Sequence, residues 1–135
     1  MELIKGHKIC KGKGEGEAIV YKGAFAFFGS FDPSTGRFTK SHELVGKSLA
    51  NKVFLFTTGR GSSQVARTAM EAKRAGNAPS AMICLETDSV MAAAAIMAGI
   101  PMVDKLEKDP FALIETGDFV KVDATQGIVE VRKKA

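Results

Sequence analysis

The chain has 135 residues, 45% hydrophobic and 25% charged, the balance of a single soluble domain covering residues 1–135 and not of a disordered tail. No apolar run reaches the roughly 18 residues that a membrane helix needs, and Met1-Glu2-Leu3-Ile4-Lys5 lacks a signal-peptide core, so a cytoplasmic protein without a membrane partner is expected. The net charge of +4 is partly an Arg132-Lys133-Lys134 tail, expected to be solvated, and the near-absence of Trp and Tyr speaks against a nucleic-acid partner, while a mildly positive surface suits a small anion.

In chain order, Glu2–Lys11 reads as β structure. The cluster Gly12-Lys13-Gly14-Glu15-Gly16 is expected to be a turn or bulge between strands, before a short strand Ala18-Ile19-Val20-Tyr21. An irregular stretch from Gly23 to about Lys52 follows, with Phe25, Phe27, Phe28 and Phe31 among turn-forming Gly and Pro residues. Ordered loops of that length are often functional. Val53-Phe54-Leu55-Phe56 is apolar at every position, the mark of a strand covered on both faces.

A helix is expected from Ser62 or Ser63, with Val65, Ala69, Ala72 and Gly76 on one stripe and Arg67–Glu71 as an i,i+4 surface pair. Gly76-Asn77-Ala78-Pro79 stops it. Ala81-Met82-Ile83-Cys84-Leu85 reads as a second buried strand, Ser89–Ala98 as an alanine-rich helix ended by Gly99, and Ile100–Val103 as a brief strand. Asp109–Glu115 contains a helical turn, and Phe119–Val122 and Ile128–Val131 form a hairpin around Thr125-Gln126-Gly127. A βαβαβ unit with parallel strands follows from the short crossovers. The expected fold is α/β, a β/β/α domain with a barrel-like β face. Cys10 and Cys84 read as buried free thiols. With two scattered histidines they form no zinc pattern and do not fill the ligand set of an iron–sulfur cluster.

The junction Gly59-Arg60-Gly61-Ser62-Ser63 carries the chemistry. A buried strand runs into a glycine turn that opens a helix, where unpaired N–H groups and the positive end of the dipole favour an anion. The same place favours a serine oxygen that is losing its proton. The plain structural reading is that Ser62 or Ser63 caps the helix, although the acid of a capping box is missing, since Val65 and Ala66 stand three residues on. A P-loop is ruled out because Ser62, not Lys, follows the last glycine. A Ser-His-Asp hydrolase is disfavoured because the flanks of Ser62 lack the elbow pattern and both His7 and His42 precede it.

The five-residue turn resembles the Gly-x-Gly-Ser-Ser turn of aconitase swivelling domains. The likeness extends to the aconitase X small-subunit family through the Gly12–Ala18 opening, Phe27-Phe28-Gly29-Ser30-Phe31-Asp32-Pro33-Ser34-Thr35-Gly36, His42, Gly46, Ala78-Pro79 and Ala98-Gly99-Ile100-Pro101, in order along nearly the whole chain. The resemblance implies the fold of the aconitase swivel domain and a hydro-lyase in which Ser62 is the proton acceptor. Arg60 is the candidate partner of the alkoxide or of the substrate carboxylate, and Gly59, Gly61 and Ser63 are candidates for substrate binding. It implies that this chain binds no cofactor or metal, and that a [4Fe–4S] cluster sits on a large aconitase X-type partner subunit. The small-molecule substrate would be a phosphorylated hydroxy acid, 5-phosphomevalonate of archaeal isoprenoid synthesis, with cis-3-hydroxy-L-proline as the alternative.

Two positions depart from the family. Gln64 stands where ordinary aconitases carry a substrate-contacting arginine, and Ser30 stands where the aromatic loop often has glycine. The Phe25–Gly36 loop is a second functional candidate, either folded over the barrel or lining a cleft toward the large subunit. Asp32-Pro33 is expected to shape a turn. His42 is either structural or a contact for substrate or partner. A non-catalytic anion-binding or interaction module, and a phosphohistidine carrier lacking its histidine at the turn, are the readings of another class.

Overall fold

A computed structural model describes residues 2–40 and 42–134. The strands are β1 (Glu2–Lys5), β2 (His7–Cys10), β3 (Lys13–Phe25), β4 (Phe31–Asp32), β5 (Arg37–Phe38), β6 (Val53–Gly59), β7 (Ala81–Cys84), β8 (Met102–Asp104), β9 (Phe119–Asp123) and β10 (Ile128–Arg132). The helical segments are α1 (Phe27–Ser30), a single turn whose Phe28 and Gly29 depart from helical φ and ψ, α2 (Gln64–Arg74), α3 (Ser89–Ala98) and α4 (Pro110–Leu113). Eight strands form one mixed sheet in the order β1-β10-β9-β3-β6-β7-β8-β2. The expected βαβαβ unit is present: β3, β6, β7 and β8 run parallel, with α2 and α3 as crossovers.

The two edge strands β1 and β2 are separated in sequence by Gly6 alone. The sheet must therefore curl until its edges meet at that residue, whose N–H donates to the Gly127 carbonyl at 2.8 Å. The expected barrel-like face is thus a curled sheet, and among the described residues no ladder joins β1 to β2 to close it.

The unbroken apolar runs follow from this curl. Successive side chains on a strand face opposite sides, and both sides of the central strands are covered. β6 sends Phe54 and Phe56 to a core shared with α2 and α3, and Val53 and Leu55 to a second core inside the curl. β7 divides Met82 and Cys84 from Ala81 and Ile83 in the same way. Burying one such side chain contributes about 1.5–3 kcal/mol, so these two strands stabilise the domain from both faces. α2 buries Val65, Thr68, Ala69 and Ala72, and α3 buries Met91, Ala94, Ala95 and Ala98. The alanines keep both helices close to the sheet and to each other. Gly99, in the left-handed region at φ 71°, ends α3 as expected.

Two sequence expectations are corrected. Gly14 and Gly16 are not a turn but lie within β3, paired with Val122 and Val120 of β9. Glycine is required there because the Ser80 and Asn51 carbonyls pass where a side chain would stand. The basic tail is not simply solvated. Asp118, fully buried, accepts from Lys133 Nζ at 2.6 Å and from the Lys134 N–H at 3.0 Å, which docks the terminus. Burial is the largest single influence on the Asp118 carboxyl and raises its pKa, but the Lys133 ammonium and the backbone donors of Glu115 and Lys134 together outweigh it and hold the carboxyl below its usual range.

The stretch between β3 and β6 forms a strap rather than a loose loop. It is pinned by the β4–β5 ribbon and by buried Phe27, Phe31, Phe38 and Leu49. Asp32 makes the expected turn, with Oδ1 accepting from the Ser34 N–H at 2.9 Å and hydroxyl at 2.7 Å. These bonds lower its carboxyl pKa.

Candidate active site

The end of β6 delivers the Gly59–Ser63 turn to the carboxyl-end rim of the parallel strands, the rim where open α/β sheets bind ligands. Phe25 of β3 pairs with Gly59, and the Arg60 N–H donates to the Phe25 carbonyl at 3.0 Å. These contacts fix the base of the turn. Gly59 itself is buried beneath the start of α3, so its part is to shape the site from behind. Arg60, Gly61, Ser62, Ser63 and Gln64 are all exposed.

Each helix start shows what the sequence puts there. α3 is capped by Asp88, whose Oδ1 accepts the Met91 N–H at 3.2 Å. α4 is capped by Asp109, whose Oδ1 accepts the Phe111 N–H at 3.0 Å. α2, preceded by two serines, has no such bond from Ser63 and no acidic residue in its first turn. Ser62 Oγ receives the Gln64 N–H at 3.4 Å, longer than the usual 2.7–3.2 Å for such a bond. The capping reading therefore accounts for little of the serine pair. The Ser62 oxygen faces solvent with a backbone donor already aimed at it, and that donor gains strength as the oxygen gains negative charge.

A recess of about 370 Å3 adjoins the turn, lined by Thr57, Thr58, Leu85, Glu86, Thr87 and Asp88. Behind Arg60 lies His42, buried between Tyr21 and Phe38 at ring-centroid distances of 4.4 and 4.5 Å. Its Nδ1 accepts the Leu44 N–H at 3.0 Å, which puts the ring proton of the neutral form on Nε2. That nitrogen is buried with no partner among the described residues. Burial lowers the His42 pKa; the Glu43 carboxylate opposes this and the Arg60 charge reinforces it. His42 is a neutral support of the strap.

A family model for the aconitase X swivel domain matches residues 3–131. The chain belongs to the aconitase X swivel-domain family. The phosphomevalonate dehydratase small subunit of Methanocella arvoryzae is 43% identical over 129 residues, 95% of this chain and 98% of the relative. That of Thermococcus onnurineus is 40% identical over 131 residues, 96% and 98% of the two chains. The crystal structure of Thermococcus kodakaraensis aconitase X superimposes with a TM-score of 0.90 at 36% identity, over 98% of this chain and all of that one. A 3-isopropylmalate dehydratase from Methanocaldococcus jannaschii, at 15% identity and a TM-score of 0.56, shares the fold.

Within this aconitase X swivel domain, the residues do not suit an iron–sulfur cluster. Cys10 and Cys84 are buried and free. Burial, with smaller contributions from Asp104 and Asp88, pushes the Cys84 thiol up to about 12, the reverse of the thiolate that a cluster requires. Among the described residues no three His, Cys, Asp or Glu side chains gather into a metal site. The Phe25–Gly36 loop, the second candidate in the sequence, divides in a way its pattern of phenylalanines did not reveal. Phe28 is 58% exposed although Phe25, Phe27 and Phe31 are buried; only the following Gly29 signals the turn that separates them.

Proposed function

We propose that this chain is the small subunit of a heteromeric hydro-lyase that dehydrates (R)-5-phosphomevalonate to trans-anhydromevalonate 5-phosphate in archaeal isoprenoid biosynthesis, in the cytoplasm, with Ser62 as the proton acceptor. The observation that carries the reading is the exposed Ser62 hydroxyl at the under-capped start of α2, beside Arg60. The relatives named as phosphomevalonate dehydratase small subunits, matched over nearly their full length, support the substrate and the large partner.

Ser62 removes a proton from the carbon next to the carboxylate. The C–H electron pair becomes the new double bond as the C–O bond on the adjacent carbon breaks; the leaving hydroxyl takes a proton from solvent and departs as water, and the proton taken by Ser62 is returned to solvent, so acid and base balance. A serine hydroxyl needs help to act as a base. A helix terminus contributes about 0.3–1 kcal/mol, and about 2 when partly buried, while one pKa unit corresponds to about 1.4 kcal/mol. The end of α2 alone is therefore far from enough to ionise the hydroxyl at neutral pH. The permanent charge of Arg60, against the alkoxide or the substrate carboxylate, supplies a further share. Because residues 60–64 are exposed, closure by the large subunit is what excludes water and strengthens both effects. Gly61 and Ser63 offer backbone and hydroxyl contacts to the same carboxylate. The [4Fe–4S] cluster is assigned to the large subunit, and no residue of this chain is asked to hold it.

The test is a reconstituted complex, mixed anaerobically with the large subunit. Ser62→Ala should lower kcat by about 10²–10⁴, the range for a general base, with assembly intact. Near-normal turnover of that variant would remove Ser62 from the mechanism. Parallel assays with 5-phosphomevalonate and cis-3-hydroxy-L-proline decide the substrate.

A further inference from the structure

We propose that Phe28, with Leu85 on the opposite flank, is the anchor by which the large partner subunit docks over the Ser62 rim. The inference rests on the two-subunit reading given above and goes further by naming the surface. β6 lies between β3 and β7 in the sheet, so the segments leaving those three strands stand side by side at one rim. After β3 comes Phe28, after β6 comes Ser62, and after β7 comes Leu85. The start of the strap touches the turn directly, since the open side of Gly61 faces the Ala26 methyl and Val65.

Phe28 is held out, not left over. Phe28 at φ −82°, ψ 128° and Gly29 at φ 92°, ψ −34° are the two central residues of a type II turn, whose third position requires positive φ. The turn is fixed from below by Phe27, packed edge-on against Phe25 at 5.1 Å and Phe31 at 5.4 Å, with Phe38 beyond. It is fixed from the side by the Thr39 hydroxyl donating to the Gly29 carbonyl at 3.0 Å and the Thr39 N–H donating to the Ser30 carbonyl at 3.0 Å. The result is a rigid aromatic side chain 58% exposed, on the strap that meets the exposed turn at Ala26, with Leu85 41% exposed in the segment after β7 on the other side of β6. A phosphorylated acid has no use for such a surface. An aromatic ring on a rigid support, seated in a partner's apolar pocket, is the usual composition of an interface hot spot.

Binding of the large subunit is measured by titration calorimetry under anaerobic conditions without substrate. Phe28→Ala should raise Kd about 30-fold, the loss expected for a hot-spot aromatic, and Phe28→Asp should raise it further. Both variants should keep the far-ultraviolet spectrum and melting temperature of the parent, because the side chain lies outside the core. Ile96→Asp, on the exposed face near the other end of α3, should bind normally. A Kd within twofold of the parent for Phe28→Ala, or an equal loss for Ile96→Asp, would overturn the docking face. A parent complex that forms tightly but dehydrates neither substrate would instead sink the reaction assigned above and leave the docking face standing.

Discussion

Gly59→Ala tests whether the active turn is set by close contact with α3. The φ of Gly59 is one that any residue adopts, so backbone strain does not enter. The added methyl would collide with Asp88 Oδ1 and the Met91 Cβ, and would stand 3.2 Å from the Met91 Cγ. Asp88 Oδ1 is the atom that caps α3 through the Met91 N–H. The first turn of α3 must therefore shift, with overpacking worth about 1–3 kcal/mol and a lost cap worth about 1 kcal/mol. The total is about 2–4 kcal/mol, a large share of the stability of a domain this size. Urea unfolding should show a lower midpoint with an unchanged slope. Asp88→Ala alone should cost about 1 kcal/mol. The double variant should fall short of the sum by about 1 kcal/mol, since the cap is lost once and part of the collision is gone. A Gly59→Ala protein within about 0.5 kcal/mol of the parent, the range of an ordinary surface change, would refute the reasoning, and so would strict additivity.

His42, neutral and buried, makes stability depend on pH. Its folded pKa lies below the unfolded value of about 6.5, because burial opposes the charge. The unfolded chain takes the proton first, so this contribution is complete above about pH 6.5 and is lost as pH falls below it, until the folded pKa is passed. Unfolding measured from pH 8 to 5 should show a steeper fall for the parent than for His42→Phe, and equal slopes would count against it. Ser63→Asp puts a carboxylate at the N-cap of α2, whose first turn carries no acidic residue. It should raise stability by about 0.3–1 kcal/mol through the helix dipole while weakening substrate binding in the reconstituted enzyme. An unchanged KM would show that the substrate anion does not sit at this helix start.

The parts of the fold that were legible are those written in local periodicity. The alternating partition of β6 and β7 between two cores needs apolar residues at every position, and that run stands in the sequence. The end of α3 at Gly99 and the hairpin around Gly127 follow from single turn residues. What was not legible depends on partners far along the chain. Gly14 and Gly16 look like a turn until the Ser80 and Asn51 carbonyls are seen beside them. The basic tail looks solvated until Asp118, 15 and 16 positions away, is found to bind it. At the site, the exposed turn after β6 could be read from the glycines, but among the four phenylalanines of one loop only Gly29, following Phe28, hinted at which would be left outside.

The weak cap at α2 and the strong cap at α3 are best understood together. Both helices start at the same rim, and both are preceded by residues able to accept a backbone N–H. The difference is that Asp88 turns inward to cap its own helix, next to Gly59, while α2 has no side-chain cap from Ser63: the Val65 N–H falls back on the Ser62 carbonyl at 3.0 Å and the Gln64 N–H reaches Ser62 Oγ only at 3.4 Å. A missing cap costs about 1 kcal/mol, and the long Gln64 N–H bond to Ser62 Oγ offsets little of it. The stability is recovered lower down, where Val65, Ala69 and Ala72 are fully buried against Phe54 and Phe56. A helix held so firmly by its flank can leave its end weakly capped, and a weakly capped helix end beside Arg60 is what the proposed role of Ser62 requires: donors free to meet an anion and to stabilise an oxygen that has given up its proton.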